Sequence, residues 1–215
     1  MSKNLKIRII TSSLLLLTLI IIFYSQTILL FSLIVLGIFS LIEFFNLTKK
    51  IIKNKIYSLI TNLFFILYIF LFCLMFFYFS SFLYLKLILF SLLLGCIASD
   101  IGGYFFGKTI KGPKLTKISP KKTISGSIGS IIFTNIVILY LFFLLTDNLN
   151  LLFLILGTIN SVSCQFGDFF FSFLKRKAKL KDTGNFFPGH GGVLDRLDGI
   201  FLGLPLSLIV LGFII

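Results

Sequence analysis

Apolar residues in this chain come in long runs separated by short polar breaks. The runs lie near the ~20 residues that carry a helix across a hydrocarbon core. They predict seven membrane-spanning helices over residues 9–24, 27–46, 57–79, 82–99, 127–146, 150–171 and 199–215. A mean hydropathy of +1.10 and a hydrophobic content of 58% place the chain among all-α, polytopic integral membrane proteins. We divide it into an N-terminal region of four spans, residues 1–99, and a region carrying the polar loops, residues 100–215. The first run has the basic start of a signal peptide (Lys3, Lys6, Arg8). No Ala-x-Ala-like cleavage site follows it, since the first alanine is Ala98, and a retained helix is expected. No internal repeat is evident, and no soluble domain is expected at either end.

Charge sets the orientation. The N-terminus and the loops 47–55, 100–126 and 172–198 hold 19 of the 20 basic residues, and the intervening breaks hold none. Lys and Arg accumulate on the cytoplasmic side, so the N-terminus and both long basic loops are expected in the cytoplasm. Lys86 is the exception, expected to snorkel at the outer end of its span. The net charge of +13 is then a surface field suited to anionic headgroups or phosphorylated substrates. Nucleic acid is a poor reading, because topology already accounts for the basic residues. Cys73, Cys96 and Cys164 fall inside spans without CxxC spacing and read as small buried hydrophobes.

The loop 172–198 concentrates nine charged residues and the only histidine, whereas the whole chain has seven acidic residues. Four Asp lie at span ends: Asp100 closes the fourth, Asp168 lies in the last turns of the sixth, and Asp195 and Asp198 open the seventh. A carboxylate at that depth is costly unless paired or bound to a cation. Asp195 and Asp198 share a face if their segment is helical. Carboxylates beside water and phosphate suit Mg²⁺, which takes one or two of them and fills its remaining positions with water and phosphate oxygens. Helix caps or salt bridges are the alternative role, and for Asp182 the better one.

The loop 100–126 is rich in Gly, Lys, Ser and Thr. Its end, residues 125–129, has the composition of an anion cradle opening the fifth span, with Lys121 and Lys122 adding point charges; an ordinary basic loop is the alternative. Residues 102–109, GGYFFGKT, match the P-loop pattern, but they follow a membrane span rather than a buried strand, so a nucleotide P-loop is not expected. His190, between glycines in GHGG, reads either as a turn residue or as a donor or proton carrier at phosphate.

These residues resemble the phosphatidate cytidylyltransferase (CDP-diacylglycerol synthase) family. The similarity rests on Ser172, Lys175-Arg176, Lys181-Asp182, Pro188, His190-Gly191-Gly192 and Asp195-Arg196-Leu197-Asp198 at the family's spacing. Upstream it rests on Asp100 with Gly102 to Tyr104, on Ser119-Pro120-Lys121-Lys122-Thr123, and on Gly167-Asp168. It covers roughly residue 100 to the end, and the chain is shorter than typical members, an N-terminal difference by expectation. The chain departs from the family at Ser125 and Phe171, where members usually carry Glu.

The resemblance implies cytidylyl transfer from CTP to phosphatidate, giving CDP-diacylglycerol and pyrophosphate on the cytoplasmic leaflet of a bacterial plasma membrane. It associates Asp168 and Asp195 with a metal centre that includes Mg²⁺, with room for a second cation. The expected metal set is Asp168, Asp195, Asp198 and Asp100; Asp168, Asp195, Asp198 and His190 are the expected catalytic residues. Ser119, Lys121, Lys122, Thr123, Gly126, Lys175, Arg176, Lys181 and Arg196 are assigned to substrate. A homodimer is left open. The rival readings are a CTP-dependent polyprenol-type lipid kinase, a non-catalytic lipid-binding protein and an ion transporter; against transport, the charges gather on one face rather than at the midplane.

Overall fold

The computed structural model describes residues 3–116, 119, 122–188 and 191–214, with side chains from residue 10 onward. The described residues form the helices α1 (Lys3–Tyr24), α2 (Gln26–Ile51), α3 (Lys55–Ser80), α4 (Leu83–Thr109), α5 (Ile124–Thr146), α6 (Leu152–Lys177) and α7 (Leu194–Ile214). No strand occurs among them beyond two isolated bridges. Helices α2 to α7 are long and apolar enough to cross a membrane, and the apolar part of α1, Ile10–Tyr24, is shorter. Large apolar side chains face outward all along them: Phe31 and Phe64 are 69% exposed and Phe213 is 86% exposed. Surfaces of that kind are stable against lipid, and helices satisfy their own backbone there. The fold is that of a polytopic helical membrane protein, as the apolar runs predict.

Contacts divide the chain into two units, residues 1–81 with 174–197, and residues 82–173 with 198–215. They are packing units and cut across the division at residues 99 and 100, which rests on where the polar loops fall. In the first unit α2 packs on α1 and α3. Phe44 stacks on Phe65 with centroids 3.8 Å apart, and the Thr48 hydroxyl donates to Asn62 Oδ1 at 2.8 Å.

In the second unit α4 and α5 approach almost backbone to backbone. A Cβ on Gly102 would meet the Gly129 carbonyl oxygen at 2.7 Å, and one on Gly126 would meet the Gly103 oxygen at 2.8 Å. Lipid tails give helices no hydrophobic reason to associate, so close small-residue contacts and interhelical hydrogen bonds supply it. Ser130 donates to the Ser99 carbonyl (2.8 Å), Ser99 and Ser161 share a hydrogen bond (3.0 Å), and Asn160 donates to the Leu92 carbonyl (3.2 Å). Lys86 is buried here rather than snorkelling, at 9% exposure.

Three helices run past their apolar cores. α4 continues through Asp100 to Thr109, because its glycines face α5, and that packing outweighs the ~1 kcal/mol helix cost of each glycine. The GGYFFGKT segment is therefore helical and is no phosphate loop. α6 continues to Lys177, where Lys175, Arg176 and Lys177 oppose the C-terminal end of the helix dipole. α7 begins at Leu194, which puts Asp195 in its first turn.

Candidate functional site

The second polar loop is built from both ends. After α6 the chain closes in a Schellman turn: Leu180 N–H bonds the Lys175 carbonyl (2.8 Å), Lys179 N–H bonds the Arg176 carbonyl (3.0 Å), and Lys179 takes a left-handed φ of 57°. Glycine is usual at such a position, so lysine there costs about 1–2 kcal/mol. Further on, Phe187 and Gly191 exchange two backbone hydrogen bonds (2.9 and 3.1 Å), with Gly191 at φ 87°. His190, between them, lies outside the described residues, as does Lys121.

Two carboxylates organise the rest of this loop. Asp195 Oδ1 accepts from Lys175 Nζ at 2.7 Å; Oδ2 receives the N–H groups of Thr183 (2.8 Å) and Gly192 (3.0 Å) and lies 3.0 Å from the Thr183 hydroxyl. The Lys175 and Asp195 side chains are only 12% and 6% exposed. The second carboxylate is Glu43, buried in α2. Its Oε1 accepts from Val193 N–H (3.0 Å), and its Oε2 accepts from Leu194 N–H (2.9 Å) and from the Thr183 hydroxyl (2.6 Å). Gly191 and Gly192 let the backbone approach these acids. A Cβ on Gly191 would stand 2.9 Å from Asp195 Oδ2, and one on Gly192 would collide with Glu43 and Thr183.

In the sequence Glu43 is one acidic residue inside the apolar run 27–46, and no motif marks it. One signal was available: Gly191-Gly192-Val193 offers no side-chain cap for the helix that follows, so the orphan amides of α7 need an acceptor from elsewhere. Lys49 and Lys50 are a second omission, read as loop charge alone. They line a cavity of about 420 Å³ with Asn46, Asp182, Thr183 and Asn185. Arg176 donates to the Leu180 carbonyl (3.3 Å) and supports the turn, and Lys181, Asp182 and Arg196 are exposed.

The first polar loop is a short hairpin between α4 and α5. Leu115 N–H bonds the Lys122 carbonyl (2.8 Å), Ile124 N–H bonds the Pro113 carbonyl (3.1 Å), and Lys122 N–H bonds the Ser119 carbonyl (3.0 Å). Thr123 caps α5 by accepting from Gly126 N–H at 3.1 Å, and Ser125 donates to the Lys111 carbonyl. Within the expected anion cradle, the amides of Gly126 and Ser127 are thus engaged by Thr123. Ser125, where relatives of the resembled family usually carry Glu, fastens this hairpin. Phe171, the other departure, is 3% exposed and packs near Phe201.

Lys122 carries the charge of this loop inward. Its Nζ stands 2.7 Å from Asp168 Oδ2 and 4.6 Å from the centre of the Phe169 ring. Asp168 Oδ1 has room beside Gly199, where an added Cβ would come within 3.2 Å of it. Asp198 accepts from Gly199 N–H (3.0 Å), and Asp100 is exposed on α4. Among the described residues no three His, Cys, Asp or Glu side chains form a metal-ligand group. Asp168 suits a hard cation, since Lys122 is the hydrogen-bond donor shown at one of its oxygens and the side chain is 19% exposed. Asp195 Oδ2 is already full, which leaves Oδ1, shared with Lys175, for any cation.

The helices and their span lengths make this an integral membrane protein, in which Asp195 pairs with Lys175 and Asp168 with Lys122. The chain belongs to the cytidylyltransferase family, whose model matches residues 5–214. It is similar to phosphatidate cytidylyltransferases of Staphylococcus haemolyticus (44% identical over 115 residues, 53% of this chain and 44% of that protein) and Rickettsia bellii (42% over 122 residues, 53% and 52%). A phosphatidate cytidylyltransferase of Helicobacter pylori is 38% identical over 120 residues, 56% of this chain and 45% of that protein. The chain spans about half the length of these curated relatives.

Proposed function

We propose that this protein transfers the cytidylyl group of CTP to phosphatidate, releasing pyrophosphate and forming CDP-diacylglycerol. The observation that carries this reading is the ordered cluster around Asp195, in which Lys175, Thr183 and Gly192 converge on one carboxylate within the segment that resembles the family's signature. A phosphate oxygen of phosphatidate attacks the α-phosphorus of CTP in line. The bond to the β-phosphate breaks, and pyrophosphate leaves with its electron pair. No group on the protein becomes covalently attached.

Lysines supply most of the positioning. Lys122 offers charge to the phosphates of CTP and to the departing pyrophosphate, which favours the transition state by electrostatics rather than by proton transfer. Asp168 and Asp195 Oδ1 are the carboxylates suited to Mg²⁺, which when bound would neutralise the phosphate oxygens. Lys122 holds Asp168 when no cation does and exchanges that carboxylate for a phosphate as substrate arrives, while Lys175 keeps its pair with Asp195. The distribution of basic residues supports a cytoplasmic site, and the bacterial relatives support the plasma membrane.

The test uses purified protein in phosphatidate-containing vesicles with Mg²⁺ and two CTP preparations, one labelled in the cytidine and one in the γ-phosphate. The expected result is cytidine label in the chloroform phase and γ-label in pyrophosphate, with both lost in Asp195→Asn. Label from the γ-phosphate in the lipid identifies a kinase and overturns the proposal, as does the absence of any labelled lipid.

A further inference from the structure

The acid that holds the signature segment in place comes from a membrane helix distant in sequence. We propose that Glu43 is a positioning residue for the proposed transfer: it acts as the N-cap of α7 in place of a residue from the preceding loop, and through Thr183 it sets the orientation of Asp195.

The geometry is specific. An α-helix begins with amides that lack partners, and they are ordinarily satisfied by a Ser, Thr, Asp or Asn at the cap. Val193 occupies that place here and has no acceptor on its side chain. Glu43 supplies both its oxygens, one to Val193 N–H and one to Leu194 N–H, at 3.0 and 2.9 Å. A negative charge at the N-terminal end of a helix is also favoured by the dipole. At 6% exposure, Glu43 is a carboxylate that needs such donors, because a buried ionised group without them is costly.

The same acid reaches Asp195 through one intermediary. Thr183 is buried, its hydroxyl lies 2.6 Å from Glu43 Oε2 and 3.0 Å from Asp195 Oδ2, and its amide bonds Asp195 Oδ2 at 2.8 Å. Thr183 is thus fixed from two sides. Asp195 Oδ2 is held by Thr183 and Gly192, which leaves Oδ1 directed to Lys175. Loss of Glu43 frees the start of α7 and the Thr183 turn together. The carboxylate oxygen then loses its fixed direction, although no residue that touches substrate has changed. Partners of this kind, one step removed from a ligand, typically alter metal affinity or activity about 10- to 100-fold.

This inference rests on the proposed transfer for its catalytic half, and one arm of the test is independent of it. Amide hydrogen exchange is measured residue by residue on the full chain in lipid nanodiscs, for wild type and Glu43→Gln. Gln has nearly the same shape but turns one acceptor into a donor facing an N–H. The expected result is exchange faster by about tenfold or more at Val193 and Leu194, with α3 unchanged, since a buried charge-assisted hydrogen bond is worth roughly 1.5–3 kcal/mol. Unchanged exchange at these two amides overturns the capping role. Acceleration spread equally over α2 and α3 overturns it as well, since the loss is then general.

The second arm reads the Mg²⁺ concentration for half-maximal formation of cytidine-labelled lipid. It is expected to rise about tenfold in Glu43→Gln. A midpoint that stays put while exchange rises locally reduces Glu43 to a structural cap and overturns positioning. Should Glu43→Gln fail to fold, Thr183→Val and Thr183→Ser replace it: Val is expected to raise the midpoint and Ser to restore it, and equal behaviour of the two overturns the proposal. A wild type that makes no labelled lipid removes the proposed transfer and leaves the exchange result to decide the cap.

Discussion

Two ion pairs of equal length stand in different surroundings. Lys175–Asp195 and Lys122–Asp168 are both 2.7 Å long, but the first pair's side chains are 12% and 6% exposed and the second pair's are 32% and 19%. Distance alone would rank them as equals. Burial separates them, because a desolvated charge that loses its partner has no water to turn to, whereas a half-exposed one does. Asp195 is further held by Thr183 and Gly192, within a loop that Glu43 fastens to α2. Among the described residues, the backbone hydrogen bonds around Lys122 are those of its own turn, Lys122 N–H to the Ser119 carbonyl and Leu115 N–H to the Lys122 carbonyl. The comparison divides the work: the Asp195 region is a prebuilt frame, and the Lys122 region is the part able to exchange one anion for another.

The largest expected effect tests the frame. Lys175→Met leaves Asp195 buried and without its cation, at a cost of ~3–5 kcal/mol. The measurement is thermal melting in detergent, with Lys175→Met/Asp195→Asn as the companion. The double variant should recover much of the loss, since no unpaired charge remains. If Lys175→Met melts like wild type, Asp195 is wetter than its exposure implies and the comparison collapses.

Next comes the base of the other loop. Gly126→Ala places a methyl group 2.8 Å from the Gly103 carbonyl oxygen and 3.1 Å from the Thr123 hydroxyl. The helices must part by several tenths of an ångström, an overpacking cost of ~1–3 kcal/mol. Gly37→Ala, in α2, is its control: the new Cβ there meets Ile69 at an ordinary 3.4 Å, so its melting should stay close to that of wild type. Equal losses at the two positions would mean that α4 and α5 are no more tightly joined than α2 and α3.

How much of this was legible follows from the range of each interaction. Seven helices and their order could be read from apolar runs, because lipid demands such runs directly. The helix ends could not: residues 100–109 and 172–177 read as polar loop, and their helicity depends on glycine packing against α5 and on a Schellman turn in which Lys179 stands where glycine is usual. At the site, Asp195 and Lys175 stood out because they lie 20 residues apart in one charged segment. Lys122 and Asp168 were each noticed, but nothing linked them across 46 residues. Glu43 meets its amide partners 150 and 151 residues away, and only the missing cap before α7 hinted that an acid was wanted there.

The smallest effect sharpens the comparison most. Lys122→Met should cost no more than ~1 kcal/mol in melting, as a partly exposed pair does, while the proposed formation of CDP-lipid falls if Lys122 meets phosphate. Salt then separates the pairs without further mutation. Screening shortens from about 10 Å at 0.1 M to about 3 Å at 1 M, and it acts on pairs that water can reach. The stability difference between wild type and Lys122→Met should therefore shrink towards zero in 1 M salt, and the difference between wild type and Lys175→Met should persist. A Lys122 contribution that survives high salt would show a pair sealed from solvent; the hairpin would then be as rigid a frame as the loop around Asp195, and exchange of Lys122 from carboxylate to phosphate would lose its physical basis.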